Sequence, residues 1–125
     1  LIAPLPELCL VFPDGEMNRV LCNSLTLTAA DGTVRALQEP EAWRYNDYSN
    51  SAQEVQLLFP LPLAEPYTVM AEPLSGGARQ TLTQDDLPDD RLPLTGPGAK
   101  YTVAAKLLGE DGAVYDVQYN FIFRT

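Results

Sequence analysis

From residue 113 to 123, Ala113, Tyr115, Val117, Tyr119, Phe121 and Phe123 alternate with Val114, Asp116, Gln118, Asn120 and Ile122. A period of two held over that length predicts a strand with one buried face. The stretch before it, 101–108, alternates Tyr101, Val103, Ala105 and Leu107 with Thr102, Ala104 and Lys106. Glu110-Asp111-Gly112 lies between the two. A two-residue Asp-Gly turn would set Leu107 against Asp116 and Val103 against Asn120, mixing apolar with polar across the pair. A three-residue loop with Gly112 left-handed instead matches Leu107 with Tyr115, Ala105 with Val117, Val103 with Tyr119 and Tyr101 with Phe121. The hydrophobic pattern selects that loop.

The same turn chemistry recurs at Ala30-Asp31-Gly32, between 25–28 and 34–37, where a three-residue loop would oppose Leu25 and Leu37. The stretches 27–38 and 107–118 resemble each other, as two hairpins with one turn type would without common ancestry. Further strands are predicted at 7–12, 53–59, 67–72 and 78–83, the last two joined across Ser75-Gly76-Gly77. A single helical turn is expected around Pro40 to Trp43. Eleven Pro and eight Gly punctuate 125 residues, enough for one domain (1–125) with a real core. The expected architecture is an all-β, two-sheet antiparallel sandwich of about eight strands.

The run Leu94-Thr95-Gly96-Pro97-Gly98-Ala99-Lys100-Tyr101-Thr102-Val103 resembles the segment that opens the F strand of fibronectin type III and other immunoglobulin-like domains. The resemblance implies that Tyr101 is a tyrosine corner, its hydroxyl bonded to nearby backbone, and that 101–108 and 113–124 are the F and G strands. In that family the B and C strands lie in different sheets, so the tight hairpin at 25–37 does not match its B–C connection.

Composition narrows the function. A net charge of −9 and eight scattered cations disfavour nucleic acid and anionic lipid surfaces, which select basic patches. No stretch approaches the roughly 20 apolar residues of a membrane helix, so direct insertion by these residues is not expected. The chain starts at Leu1 rather than Met, and a removed targeting segment or anchor is the expectation, with an extracytoplasmic location.

Cys9 and Cys22 are the only cysteines. If residues 14–17 form the first turn, Leu10 faces Leu21, Val11 faces Val20 and Cys9 faces Cys22, within reach of a disulfide. Two buried free thiols are the alternative. Redox or metal chemistry ranks last, because there is neither a CxxC spacing nor a His.

The absence of His also removes the usual general base and the Ser or Cys triad. Pairs of carboxylates could serve a glycosidase, but the acids cluster in loops, where solvation accounts for them. The expectation is a protein that is not an enzyme and needs no cofactor. Asp85, Asp86, Asp89 and Asp90 form an acidic cluster that could offer oxygens to Ca²⁺, yet they lack EF-hand spacing, and a solvated loop is the first reading.

One aromatic stretch remains, Trp43-Arg44-Tyr45-Asn46-Asp47-Tyr48-Ser49-Asn50. Trp43, Tyr45 and Tyr48 beside amides and a carboxylate could stack and orient a sugar ring. The competing reading is that they plug one end of the core. The functional expectation is a non-catalytic module for binding, adhesion or spacing at the cell envelope, its partner an unidentified protein or glycan. A carbohydrate-binding module using Trp43 is the second reading, and the ectodomain of a membrane-anchored sensor the third.

Overall fold

A computed structural model describes residues 6–38 and 45–124. Among these residues eleven strands form two sheets that pack face to face. The smaller sheet has the order β2-β1-β6-β9, from β1 (Leu8–Val11), β2 (Met17–Val20), β6 (Glu54–Leu58) and β9 (Arg91–Pro93). The larger has the order β4-β3-β11-β10-β7-β8 and comprises β3 (Ser24–Thr28), β4 (Val34–Gln38), β7 (Thr68–Pro73), β8 (Gln80–Thr83), β10 (Gly98–Leu108) and β11 (Val114–Arg124). β5 (Asn46–Ser49) joins the larger sheet as a parallel neighbour of β11; the other pairings are antiparallel. The all-β sandwich expected from the alternation is therefore the fold, with β2, β5 and β9 additional to the eight strand ranges read from the pattern. The helical turn expected at 40–43 lies outside the described residues.

β10 and β11 are the spine. Their register pairs Tyr101 with Phe121, Val103 with Tyr119, Ala105 with Val117 and Leu107 with Tyr115, as the apolar matching requires. The loop closes with Gly109 N–H donating to Ala113 C=O, and both Asp111 (φ 57°) and Gly112 (φ 75°) are left-handed. Tyr101, Tyr119, Phe121 and Phe123 from this pair meet Leu8, Leu10, Val20, Val55 and Leu92 from the smaller sheet in one core. Tyr101 and Phe121 stack at 5.4 Å, and Phe12 meets Phe123 edge-on at 5.5 Å.

Two registers differ from the sequence reading. At the first hairpin the loop is Pro13-Asp14-Gly15, not 14–17: Gly15 N–H donates to Phe12 C=O, Phe12 N–H donates to Glu16 C=O, and Gly15 has φ 91°. Pro follows Phe12 and Gly closes the turn, the residues a type I turn favours at those positions. β1 and β2 thus pair Leu8 with Val20, both fully buried, and Cys9 with Arg19.

In the second hairpin the loop is Ala30-Asp31-Gly32 as expected, but a bulge sets Leu25 opposite Gln38 rather than Leu37. β4 is an edge strand whose residues 34–37 are exposed on both faces, Leu37 included, so burial does not enforce its register.

Candidate functional site

The proline-glycine run before β10 delivers Tyr101 to the core, where it is 1% exposed. Its hydroxyl accepts a hydrogen bond from Thr95 N–H at 2.9 Å, inside the segment expected to hold it. Gly98 is needed here, since a Cβ would run into Phe123 C=O and come within 2.9 Å of Leu74 Cδ1.

The two thiols are separated by the corrected register. Cys9 points to the outer face of the smaller sheet, half-buried, whereas Cys22 lies inside beyond the end of β2 and donates to Pro6 C=O at 2.9 Å. Both are free. The expected opposition failed because the loop is residues 13–15 rather than 14–17, one residue shorter and one residue earlier, which together move the pairing by three positions. An odd shift also exchanges faces. Burial pushes the Cys22 thiol up to about 11 against the pull of its Tyr119 hydrogen bond, and raises Cys9 in spite of nearby Arg19. Neither is an activated nucleophile.

Trp43 and Arg44 lie outside the described residues, and residues 45–50 are committed to the fold. Residues 46–49 are β5 rather than a loop. The Tyr48 ring packs on Phe123 at 5.6 Å and its hydroxyl donates to Arg19 C=O in β2, tying the two sheets together. Tyr45 is half-buried, with the Lys100 ammonium 5.5 Å from its ring centre. Asn46 donates to Asn120 C=O, Asp47 pairs with Arg124, and Asn50 accepts from Ala52 N–H. These intramolecular bonds occupy the amides and carboxylate that could have oriented a hydroxylated ligand.

Part of the acidic cluster is likewise engaged within the fold. Asp86 accepts from Thr83 N–H and hydroxyl at 2.9 and 3.1 Å. Asp90 accepts from the buried Tyr67 hydroxyl at 2.8 Å, and Asp89 C=O accepts from Gln56. Asp85 is exposed. Among the described residues no three His, Cys, Asp or Glu side chains are grouped to hold a metal ion.

The feature that stands out is the outer face of the smaller sheet. Register places Cys9 opposite Leu58 and Val11 opposite Met17, and Cys9 and Val11 share a face two residues apart on β1. Met17 is 56% and Leu58 53% exposed, so four sulfur or aliphatic side chains adjoin on a surface that no other described element covers. Arg19 flanks them on one side, and Gln56 and Arg91 on the other. Where β1 turns into its loop, Val11, Phe12, Pro13, Glu54, Gln56 and Arg91 line a half-open groove of about 350 Å³. The sequence does carry a sign of this face: Leu8-Cys9-Leu10-Val11 and Leu57-Leu58 are apolar at both parities, where a half-buried strand would alternate. Without the register the surplus apolar positions could not be assembled into one surface.

No helix among the described residues is long and apolar enough to cross a membrane. Compared with known proteins, the chain matches no family model, no curated protein and no solved structure.

Proposed function

We propose that this chain is a non-catalytic, immunoglobulin-like interaction module that works outside the cytoplasm and engages a protein partner through the outer face of β2-β1-β6-β9. The observation that carries the reading is the contiguity of Met17, Val11, Cys9 and Leu58 there, since an exposed apolar patch marks an interaction surface. The margin is of mixed charge, Arg19 with its ion-pair partner Glu7 on one side and Arg91 near Glu54 on the other, so the apolar centre rather than one sign of charge supports the reading.

Strand order supports the immunoglobulin-like part. β1, β6 and β9 correspond to strands A, B and E, while β8, β7, β10 and β11 correspond to C′, C, F and G. The chain changes sheet from β6 to β7, from β8 to β9 and from β9 to β10, and Tyr101 stands at the corner entering F. The hairpin at 25–37, which has no place in a B–C connection, then belongs to an insertion between A and B that comprises β2 to β5.

Site-specific photo-crosslinking in the native cells tests the function, with the crosslinker at Leu58 or at Thr81 on the opposite outer face. Crosslinks to a protein from position 58 and none from 81, in material that a membrane-impermeant reagent labels, are the expected result. Recovery of the chain only from the cytoplasm, or equal crosslinking from both positions, would overturn it. On a glycan array, binding abolished by Trp43→Ala but kept by Leu58→Asp would replace the protein partner with a carbohydrate.

A further inference from the structure

One edge of β11 is covered by two different strands. Residues 114–118 pair antiparallel with β3, and residues 121–124 pair parallel with β5. At the handover, Asn23 Oδ1 accepts from Asn120 N–H at 2.9 Å and Asn46 Nδ2 donates to Asn120 C=O at 3.0 Å. Two asparagine side chains thus bridge the seam where neither strand continues the ladder.

The two covers are held differently. β3 is anchored in the core by Leu25, 1% exposed, whereas no residue of β5 is buried. β5 depends on its short parallel ladder, the Asn46 bond, the exposed Asp47–Arg124 pair at 3.2 Å, and Asn50 N–H donating to Arg124 C=O at 3.1 Å. Tyr48 adds a tilted ring contact with Phe123 and the hydroxyl bond to Arg19 C=O. Few buried contacts and solvent-exposed bonds are the marks of a segment that opens below the global unfolding energy. β3 does not lean on β5, because Asn23 holds the Asn120 N–H from the β3 side.

We propose that β5 is a displaceable clip that opens as a unit while β3, β10 and β11 stay paired. Opening releases the tie between β11 and β2 and uncovers the edge of β11 beside Phe123.

Native-state hydrogen exchange on the whole chain over a series of low denaturant concentrations tests the clip. The β5 amides and Asn50 N–H should exchange at least about tenfold faster than the β3 and β10 amides, at rates nearly independent of denaturant, because local opening exposes little surface. Tyr48→Phe should speed exchange in β5 by about three- to tenfold and Asp47→Asn by about two- to fivefold, and both should leave β3 and β10 unchanged. Asp47 is on the surface, so Asp47→Asn keeps the test available if Tyr48→Phe does not fold. Exchange of β5 that follows global unfolding, or substitutions that speed β3 and β10 as much as β5, would overturn the proposal.

Discussion

The hairpins β1–β2 and β10–β11 each turn through a three-residue loop ending in Asp-Gly, yet they are built to different depths. β10–β11 runs for eleven pairs and is flanked by β7 on one side and by β3 and β5 on the other. Its inward row from Tyr101 to Leu107 and from Val117 to Phe123 is buried throughout. β1–β2 has four pairs, and β2 is an edge strand that contributes one buried residue, Val20. The long pair has so many buried positions that a slip in register would expose an entire row. The short pair is held by its Pro13-Asp14-Gly15 loop and the single opposition of Leu8 and Val20. Depth, rather than turn chemistry, separates the hairpin that builds the core from the one that presents a surface.

Truncating the inward row of the long hairpin and the outward row of the short one should give the largest contrast. Phe121→Ala leaves a cavity against Tyr101 and Phe123 and should destabilise by about 3–5 kcal/mol in urea unfolding. Met17→Ala, on the outer face of β2, should stay within about 0.5 kcal/mol. Comparable losses at the two sites would erase the distinction between a core hairpin and a presenting one.

Next come the loops, where the hairpins should behave alike. Gly112 and Gly15 both sit at positive φ, with no clash awaiting a Cβ beyond ordinary contact. Substituting Val at either position therefore adds backbone strain alone, about 1–2 kcal/mol in a chevron or equilibrium measurement. A cost confined to Gly112 would mean that the first loop can adopt another conformation.

How much of this was legible in the sequence follows the same division. The register of β10 and β11 could be read because eleven alternating residues leave one way to match apolar with apolar. The first hairpin could not, because Leu10–Leu21 and Val11–Val20 also match apolar with apolar, and only the place and length of the loop choose between them. The bulge in β4 and the short parallel strand β5 leave no periodic trace, since β4 is exposed on both faces and β5 has no buried position. The candidate face was hidden for a different reason. It is assembled from three strands, and its members Met17 and Leu58 are forty-one positions apart and meet only through β1.

A smaller effect tests the corner that opens β10. Tyr101→Phe keeps the ring in its stack with Phe121 and removes the acceptor of Thr95 N–H, so it should cost about 1 kcal/mol. An unchanged unfolding midpoint would show that solvent satisfies Thr95 equally well, and the corner would then contribute through packing alone.

The thiols should give the smallest effect, one of rate and pH dependence more than of stability. With Cys9 opposite Arg19 and Cys22 inside, the purified chain should carry two free thiols, and native alkylation should modify Cys9 well before Cys22. Cys22 ionises near its ordinary value of 9 when unfolded but only at about 11 when folded. Between those values the unfolded chain binds fewer protons than the folded one, so this group lowers stability as pH rises through that window and contributes nothing below it. The urea midpoint of wild type minus that of Cys22→Ala, measured at pH 8 and again between pH 10 and 11, separates the thiol from Tyr67, whose hydroxyl burial also raises, and reads it together with its hydrogen-bonded neighbour Tyr119. The difference should shrink or reverse at the higher pH. A native chain whose mass shifts on reduction, or a Cys22 alkylated as fast as Cys9, would return the two cysteines to a common face and with them the rejected register of the first hairpin.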